Sequence, residues 1–196
     1  MKQNINIEFA LDYRVVEAVR RLSINISSSY PEVKSILVSS VAGKEGKSYV
    51  STNLARELAE RGNKVLYING DIRGRLSESV GLTDYMTNTL SQEEIVYGCN
   101  CNNLFVIPNG KGNAIIDEIL LKELMRNMKS MYDYIILDTS SLGESADGIV
   151  MGKICDGVLL VIEPEIVPEK RVLKVKEELE RSGCNILGVV LNKERN

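Results

Sequence analysis

Gly46-Lys47-Ser48 closes the run Ser39-Ser40-Val41-Ala42-Gly43-Lys44-Glu45-Gly46-Lys47-Ser48, and it follows directly on the apolar segment Ser35-Ile36-Leu37-Val38-Ser39. A glycine-containing turn between a strand and a helix is how a backbone cradles phosphates, because the first amides of the helix lack partners and its dipole favours anions. Gly46 lets the chain come close to a phosphate. Lys47 can reach the β- and γ-phosphates with a charge-assisted contact, and Ser48 offers a hydroxyl to magnesium. The match to the usual spacing of this motif is incomplete, since Val41 stands where the first glycine belongs and Gly43 follows two positions later. Gly43, Lys44, Glu45, Gly46, Lys47, Ser48 and Tyr49 are the candidate nucleotide-contacting residues.

Two further segments end in carboxylates. Tyr134-Ile135-Ile136-Leu137-Asp138 reads as an apolar strand whose terminal aspartate is placed to hold magnesium, usually through water. Val65-Leu66-Tyr67-Ile68-Asn69-Gly70-Asp71-Ile72-Arg73 gives another strand tip, with a carboxylate beside a guanidinium. Ser48 and Asp138 are therefore candidate metal-organising residues and Lys47 and Asp138 candidate catalytic ones; the Asp71 tip on its own would pass for an ordinary turn, and it joins both sets only by family resemblance. The four cysteines suggest neither a disulfide framework nor a zinc site, since the chain has no histidine. Cys155 and Cys184 read as buried free thiols, and the Cys99-Asn100-Cys101 stretch as a loop.

The elements that must position these residues alternate between apolar runs and helical patterns, the signature of βαβ units building a parallel sheet. Strands are expected over 35–39, 64–69, 103–108, 134–138, 157–162 and 185–192. Helices are expected over 12–27, 47–61, 91–97, 115–131, 145–155 and 168–182, with Pro168 in a first turn and Gly183 just past an end. Residues 74–111 lack clear periodicity and read as loops over one edge of the sheet. The predicted fold is α/β, a doubly wound, mostly parallel sheet with helices on both faces, of P-loop NTPase type. At 196 residues and 44% apolar content, one domain spanning 1–196 is expected, with residues 1–33 as a helical segment packed on or beside it. The net charge of −3 gives no general attraction to nucleic acid. With no segment approaching about twenty uninterrupted apolar residues and no leader pattern, the chain reads as cytoplasmic.

Taken together, the phosphate loop, Asp71-Ile72-Arg73 and the strand ending Asp138-Thr139 resemble the bacterial tyrosine kinases of capsular and exopolysaccharide synthesis, within the deviant P-loop ATPases that also include septum-site and partition ATPases. The likeness extends over nearly the whole chain, through Glu17-Ala18-Val19-Arg20-Arg21-Leu22, Ser51-Thr52-Asn53-Leu54-Ala55, Asp156-Gly157-Val158-Leu159-Leu160-Val161 and Leu187-Gly188-Val189-Val190-Leu191-Asn192. It implies ATP and Mg2+ as ligands and transfer of the γ-phosphoryl group to tyrosine. It further implies that Ser48 ligates the metal with Asp71 and Asp138 acting around it, and that Asn192 lies near the adenine. A membrane-anchored polysaccharide co-polymerase is the implied activating partner, recruiting the chain to the inner face of the membrane. A homo-oligomeric ring through Glu17 and Arg20 is implied as well.

The chain departs from that family at informative places. The strand-tip motif of the family reads Asp-x-Asp-x-Arg, but its first acid is here Asn69, and an amide cannot accept a proton or organise magnesium as a carboxylate does. All eight tyrosines lie at Tyr134 or earlier, so the family's C-terminal acceptor cluster is not expected. Ser23 stands at the third position of the family's Glu-x-x-Arg-x-x-Arg ring pattern. Ser140 and Ser141 replace two prolines, and Lys44 fills a position often held by glycine. These departures keep two other readings open beside the kinase: a nucleotide-dependent regulatory module that transfers nothing, favoured by Asn69, and a partition-type ATPase. Ala42 stands against the latter, because it occupies the place of that group's signature lysine.

Overall fold

The computed structural model describes residues 4–10, 12–73, 76–87, 90–112, 114–164 and 166–193. What the sequence suggests for the first three residues, for Gly74, and for the tail at 194–196 lies outside them. The chain runs α1 (Tyr13–Ser29), β1 (Ser35–Ser40), α2 (Lys47–Glu60), β2 (Val65–Asn69), α3 (Leu82–Met86), α4 (Gln92–Ile95), β3 (Tyr97–Gly98), β4 (Leu104–Ile107), α5 (Glu118–Met131), β5 (Tyr134–Asp138), α6 (Asp147–Ile154), β6 (Gly157–Ile162), α7 (Glu169–Arg181) and β7 (Ile186–Leu191). The strands form one seven-stranded sheet in the order β3-β4-β2-β5-β1-β6-β7. Every pairing is parallel except that of β3 with β4.

Strands β1 and β6 are buried along their whole length, and β6 reads as a nearly continuous aliphatic run while β1 sets Ile36-Leu37-Val38 between buried serines. Their side chains alternate between two cores. Ile36 and Val38 of β1 pack with Val19 and Ile26 of α1 and Val50, Leu54 and Leu58 of α2. Leu37 faces the other layer, with Leu121, Leu124 and Met128 of α5, Met151 of α6 and Val175 and Leu179 of α7. Helices thus cover both faces, as a doubly wound sheet requires. The edge strand β7 is covered less well, leaving Val189 and Leu191 exposed.

Residues before β1 are tied to the sheet domain at several points. Ile5 bridges Cys99 in parallel, the Ala10 amide donates to Asn53 Oδ1 at 2.8 Å, and the Tyr30 hydroxyl donates to the Leu187 carbonyl at 3.0 Å. On α1, Glu17 pairs with Arg21 at 3.4 Å and Arg20 is exposed. Ser23 is fully buried against α2, where its hydroxyl oxygen accepts from Arg61 at 3.0 Å.

The structure corrects the reading of residues 74–111. The strand expected over 103–108 is β4 and the helix expected over 91–97 is α4, which stops at Ile95, but α3 and β3 stand where loops were expected. Val96 turns to φ −93°, ψ 132°, so that Tyr97 and Gly98 can pair with Val106 and Phe105 of β4. The helix expected from Ile115 starts at Glu118, because the Asp117 side chain caps the Ile119 and Leu120 amides. Cys155 and Cys184 are buried free thiols, and burial pushes the Cys155 thiol up to about 12. No helix among the described residues is long and apolar enough to cross a membrane.

Candidate functional site

The carboxyl ends of β1, β2 and β5 meet at one rim of the sheet, the place where open α/β sheets present ligand sites. There β1 ends at Ser40 and the chain turns through 41–46 into the first turn of α2. Two residues of this turn have left-handed backbones, Gly46 with φ 86° and Lys44 with φ 68°. A Cβ at 46 would also push aside the Asn192 side-chain amide.

Glu45 is fully buried and braces the loop from within. Its Oε2 accepts from the Ala42 amide at 2.6 Å and its Oε1 from the Glu163 amide at 3.1 Å. The Glu45 carboxylate is thereby engaged inside the loop by both of its oxygens. Asn192 closes the brace by donating from Nδ2 to the Glu45 carbonyl at 2.8 Å. Lys193 adds a contact to the Lys44 carbonyl at 3.0 Å and pairs with Glu163 at 2.7 Å. Lys47 is half-buried at the start of α2, whereas Ser48 and Tyr49 are exposed. Tyr49 and Asn192 share a groove of about 670 Å3 that runs between α1 and the end of β7.

Asp138 closes β5 across the sheet from the loop and is only 1% exposed. Its Oδ2 accepts from the Tyr67 hydroxyl at 3.0 Å, and its Oδ1 has no hydrogen-bond partner among the described residues. Burial pushes its pKa up to about 6, while neighbouring Ser48, Tyr67 and Lys47 pull it back down. An unpartnered buried carboxylate oxygen beside a serine hydroxyl is the donor set that a hydrated divalent cation fits. Asn69 sits opposite Asp138 in the β2–β5 register, and its Oδ1 accepts from the Asp71 amide at 3.1 Å. Asp71 Oδ1 accepts from the Ser140 hydroxyl at 2.7 Å, and Arg73 pairs with Asp147 at 2.8 Å. Lys47, Ser48, Asp71 and Asp138 thus meet at one rim.

Several participants escape the sequence reading. Tyr67 reads there as a plain strand residue, although a lone aromatic in an aliphatic strand next to a catalytic candidate was the available signal. Glu163 and Ser140 give no local signal, because their roles exist only once distant loops meet. Glu144, on the turn after β5, lies over the phosphate loop: a Cβ on Gly43 would be 3.1 Å from its Oε1.

Residues 33–169 match the AAA domain family model AAA_31. The tyrosine-protein kinase CpsD of Streptococcus agalactiae serotype III is 33% identical over 90% of this chain and 82% of its own length. The chain belongs to the bacterial tyrosine-protein kinase family. Another relative in that family is tyrosine-protein kinase YwqD of Bacillus subtilis, 32% identical over 88% of this chain and 77% of its own. The kinase domain of the Escherichia coli tyrosine kinase ETK superposes with a TM-score of 0.82 at 27% identity, over 100% of this chain and 85% of that one. The septum-site determining protein MinD of Pyrococcus horikoshii, solved with Mg-ADP, gives 0.65 at 27% identity, over 81% of this chain and 69% of that one. In this kinase family the P-loop fold binds nucleotide, and the sheet, its helices and the strand-end rim are those of a P-loop NTPase.

Proposed function

We propose that this chain transfers the γ-phosphoryl group of ATP to tyrosine hydroxyls, and that it thereby regulates polysaccharide synthesis or export beside a membrane-anchored co-polymerase. The observation that carries the reading is the convergence of Lys47 and Ser48, at the amino end of α2, on the unpartnered Oδ1 of Asp138. Phosphoryl transfer asks for little covalent chemistry from a protein, and most of the rate comes from positioning and charge stabilisation. In this assignment the loop amides and Lys47 hold the β- and γ-phosphates. Ser48 and Asp138 would hold Mg2+, with Asp71 beside them. When bound, the ion would neutralise phosphate charge. Asn192 and Tyr49 flank the purine in the groove beside α1.

The co-polymerase supplies an activating segment and brings the protein to the inner face of the membrane. A homo-oligomer through Glu17 and Arg20 of α1 fits their position on its solvent side. Asn69 favours a second reading, a module that binds ATP and signals to its partner without transferring phosphate, because its amide oxygen already serves the Asp71 turn.

The test is incubation of the purified protein with labelled ATP and Mg2+, with and without the cytosolic segment of the membrane partner. Phosphotyrosine is expected in the wild type and absent in Lys47→Ala. ATP binding with no phosphotyrosine in either condition sinks the kinase reading and leaves the regulatory one.

A further inference from the structure

The carboxylates gathered around the phosphate loop, among the described residues, are Glu45, Asp71, Asp138, Glu144, Asp147 and Glu163. Five of them are committed elsewhere. Glu45 braces the loop with both oxygens, and Asp138 is buried under the Tyr67 hydroxyl. Asp147 pairs with Arg73 at 2.8 Å and accepts from Ser145 at 2.7 Å, and Glu163 pairs with Lys193. Asp71 accepts from Ser140 within the strand-tip turn. Asn69 carries no carboxylate at all.

Glu144 differs from these in two respects. It is exposed, and its carboxylate, which accepts from the Ser141 hydroxyl as Asp71 accepts from Ser140, lies against the phosphate loop over Gly43. Its place is fixed by backbone contacts of the turn that carries it. The Leu142 amide donates to the Ser40 carbonyl at 2.8 Å, and the Glu144 amide to the Ser141 carbonyl at 3.0 Å. Gly143 comes so near that a Cβ there would be 2.5 Å from the Val41 carbonyl oxygen and 2.9 Å from the Arg171 guanidinium, so the turn rests closely on the loop.

We infer that Glu144 is the proton acceptor for the hydroxyl that receives the γ-phosphoryl group, taking the role a carboxylate at Asn69 would fill. The inference rests on the kinase reading above. In the step, the phenol oxygen forms a bond to Pγ, and the bond from Pγ to the β,γ-bridging oxygen breaks with its electron pair leaving on ADP. The phenol proton passes to the Glu144 carboxylate and from there to water. As the new O–P bond draws electrons from the phenol oxygen, its proton becomes acidic enough for a carboxylate to take.

The experiment measures phosphotyrosine formation on a tyrosine-containing copolymer of glutamate and tyrosine with ATP and Mg2+, alongside binding of a fluorescent ATP analogue. Because Glu144 is exposed, Glu144→Gln and Glu144→Asp are expected to fold, and thermal melting checks this. Glu144→Gln is expected to lower kcat roughly 100-fold with ATP affinity unchanged, the scale of a lost general base. Glu144→Asp is expected to fall between the two. A Glu144→Gln rate within about twofold of wild type, too small for a lost general base, overturns the inference. So does tighter ATP binding with no fall in kcat, which would make Glu144 an electrostatic brake, and so does a Glu144→Asp rate no better than Glu144→Gln. A wild-type protein that binds ATP yet forms no phosphotyrosine overturns the kinase reading and this inference together, a result distinct from the other three.

Discussion

Asp138 holds a charge in a place that resists it. Burial pushes its carboxyl up to about 6, against an ordinary value of 3.8, so the empty protein is least favoured by this group when it is ionised. The sign follows from linkage. A group whose folded pKa lies above its unfolded one contributes stability that is fully present below about 3.8 and is lost as the pH rises through about 6. Asp138→Asn keeps an acceptor for the Tyr67 hydroxyl and removes the charge. Thermal melts of the nucleotide-free protein should therefore show the variant ahead of wild type at pH 7.5, and that lead should shrink by about 1–2 kcal/mol at pH 5. A lead independent of pH would show that ionisation of Asp138 costs the fold nothing. The same substitution should abolish phosphoryl transfer, which separates what this residue costs in stability from what it gives in function.

At the scale of elements, the turn from β1 into α2 is built against local preference at one position. Lys44 adopts φ 68°, where a Cβ costs about 1–2 kcal/mol, and glycine there gives part of the gain back as chain entropy in the unfolded state. Lys44→Gly should raise the melting temperature by about 1–3 °C. ATP affinity should stay unchanged, because the structure engages the Lys44 carbonyl, through Lys193, and leaves the side chain exposed. A fall in affinity would place the Lys44 ammonium on the phosphates.

This turn also marks the limit of what the sequence discloses. Gly46-Lys47-Ser48 and the strand ending in Asp138 are legible because both rest on short-range patterns, a glycine turn and an aliphatic run, that any helix or strand of this class must carry. The brace from Glu45 to Glu163 is not legible, since it joins residues 118 apart in the chain. The helix expected over 91–97 forms but ends two residues early for a related reason: Tyr97 and Gly98 are claimed by a strand partner that local periodicity cannot reveal.

At the scale of the whole molecule, the first thirty-odd residues close one face of the sheet domain. Val19 and Ile26 of α1 cover Val50, Leu54 and Leu58 of α2, and Arg56 spans the seam, donating to the Ala10 carbonyl at 3.0 Å and lying 5.4 Å over the Phe9 ring. Removing residues 1–33 should expose that apolar face, and a lower melting temperature with loss of soluble yield is expected. An unchanged melting temperature would show that the sheet and α2 stand alone. The strand order carries a further consequence for how the protein is made. β1 lies inside the sheet, and its partners β5 and β6 follow only with residues 134–138 and 157–162. The loop after β1 then waits for Glu163 and Asn192 to brace it. On the ribosome the phosphate cradle is thus translated well before the residues that brace it, so a nascent chain stalled between them exposes a strand that the folded protein buries while unable to hold nucleotide.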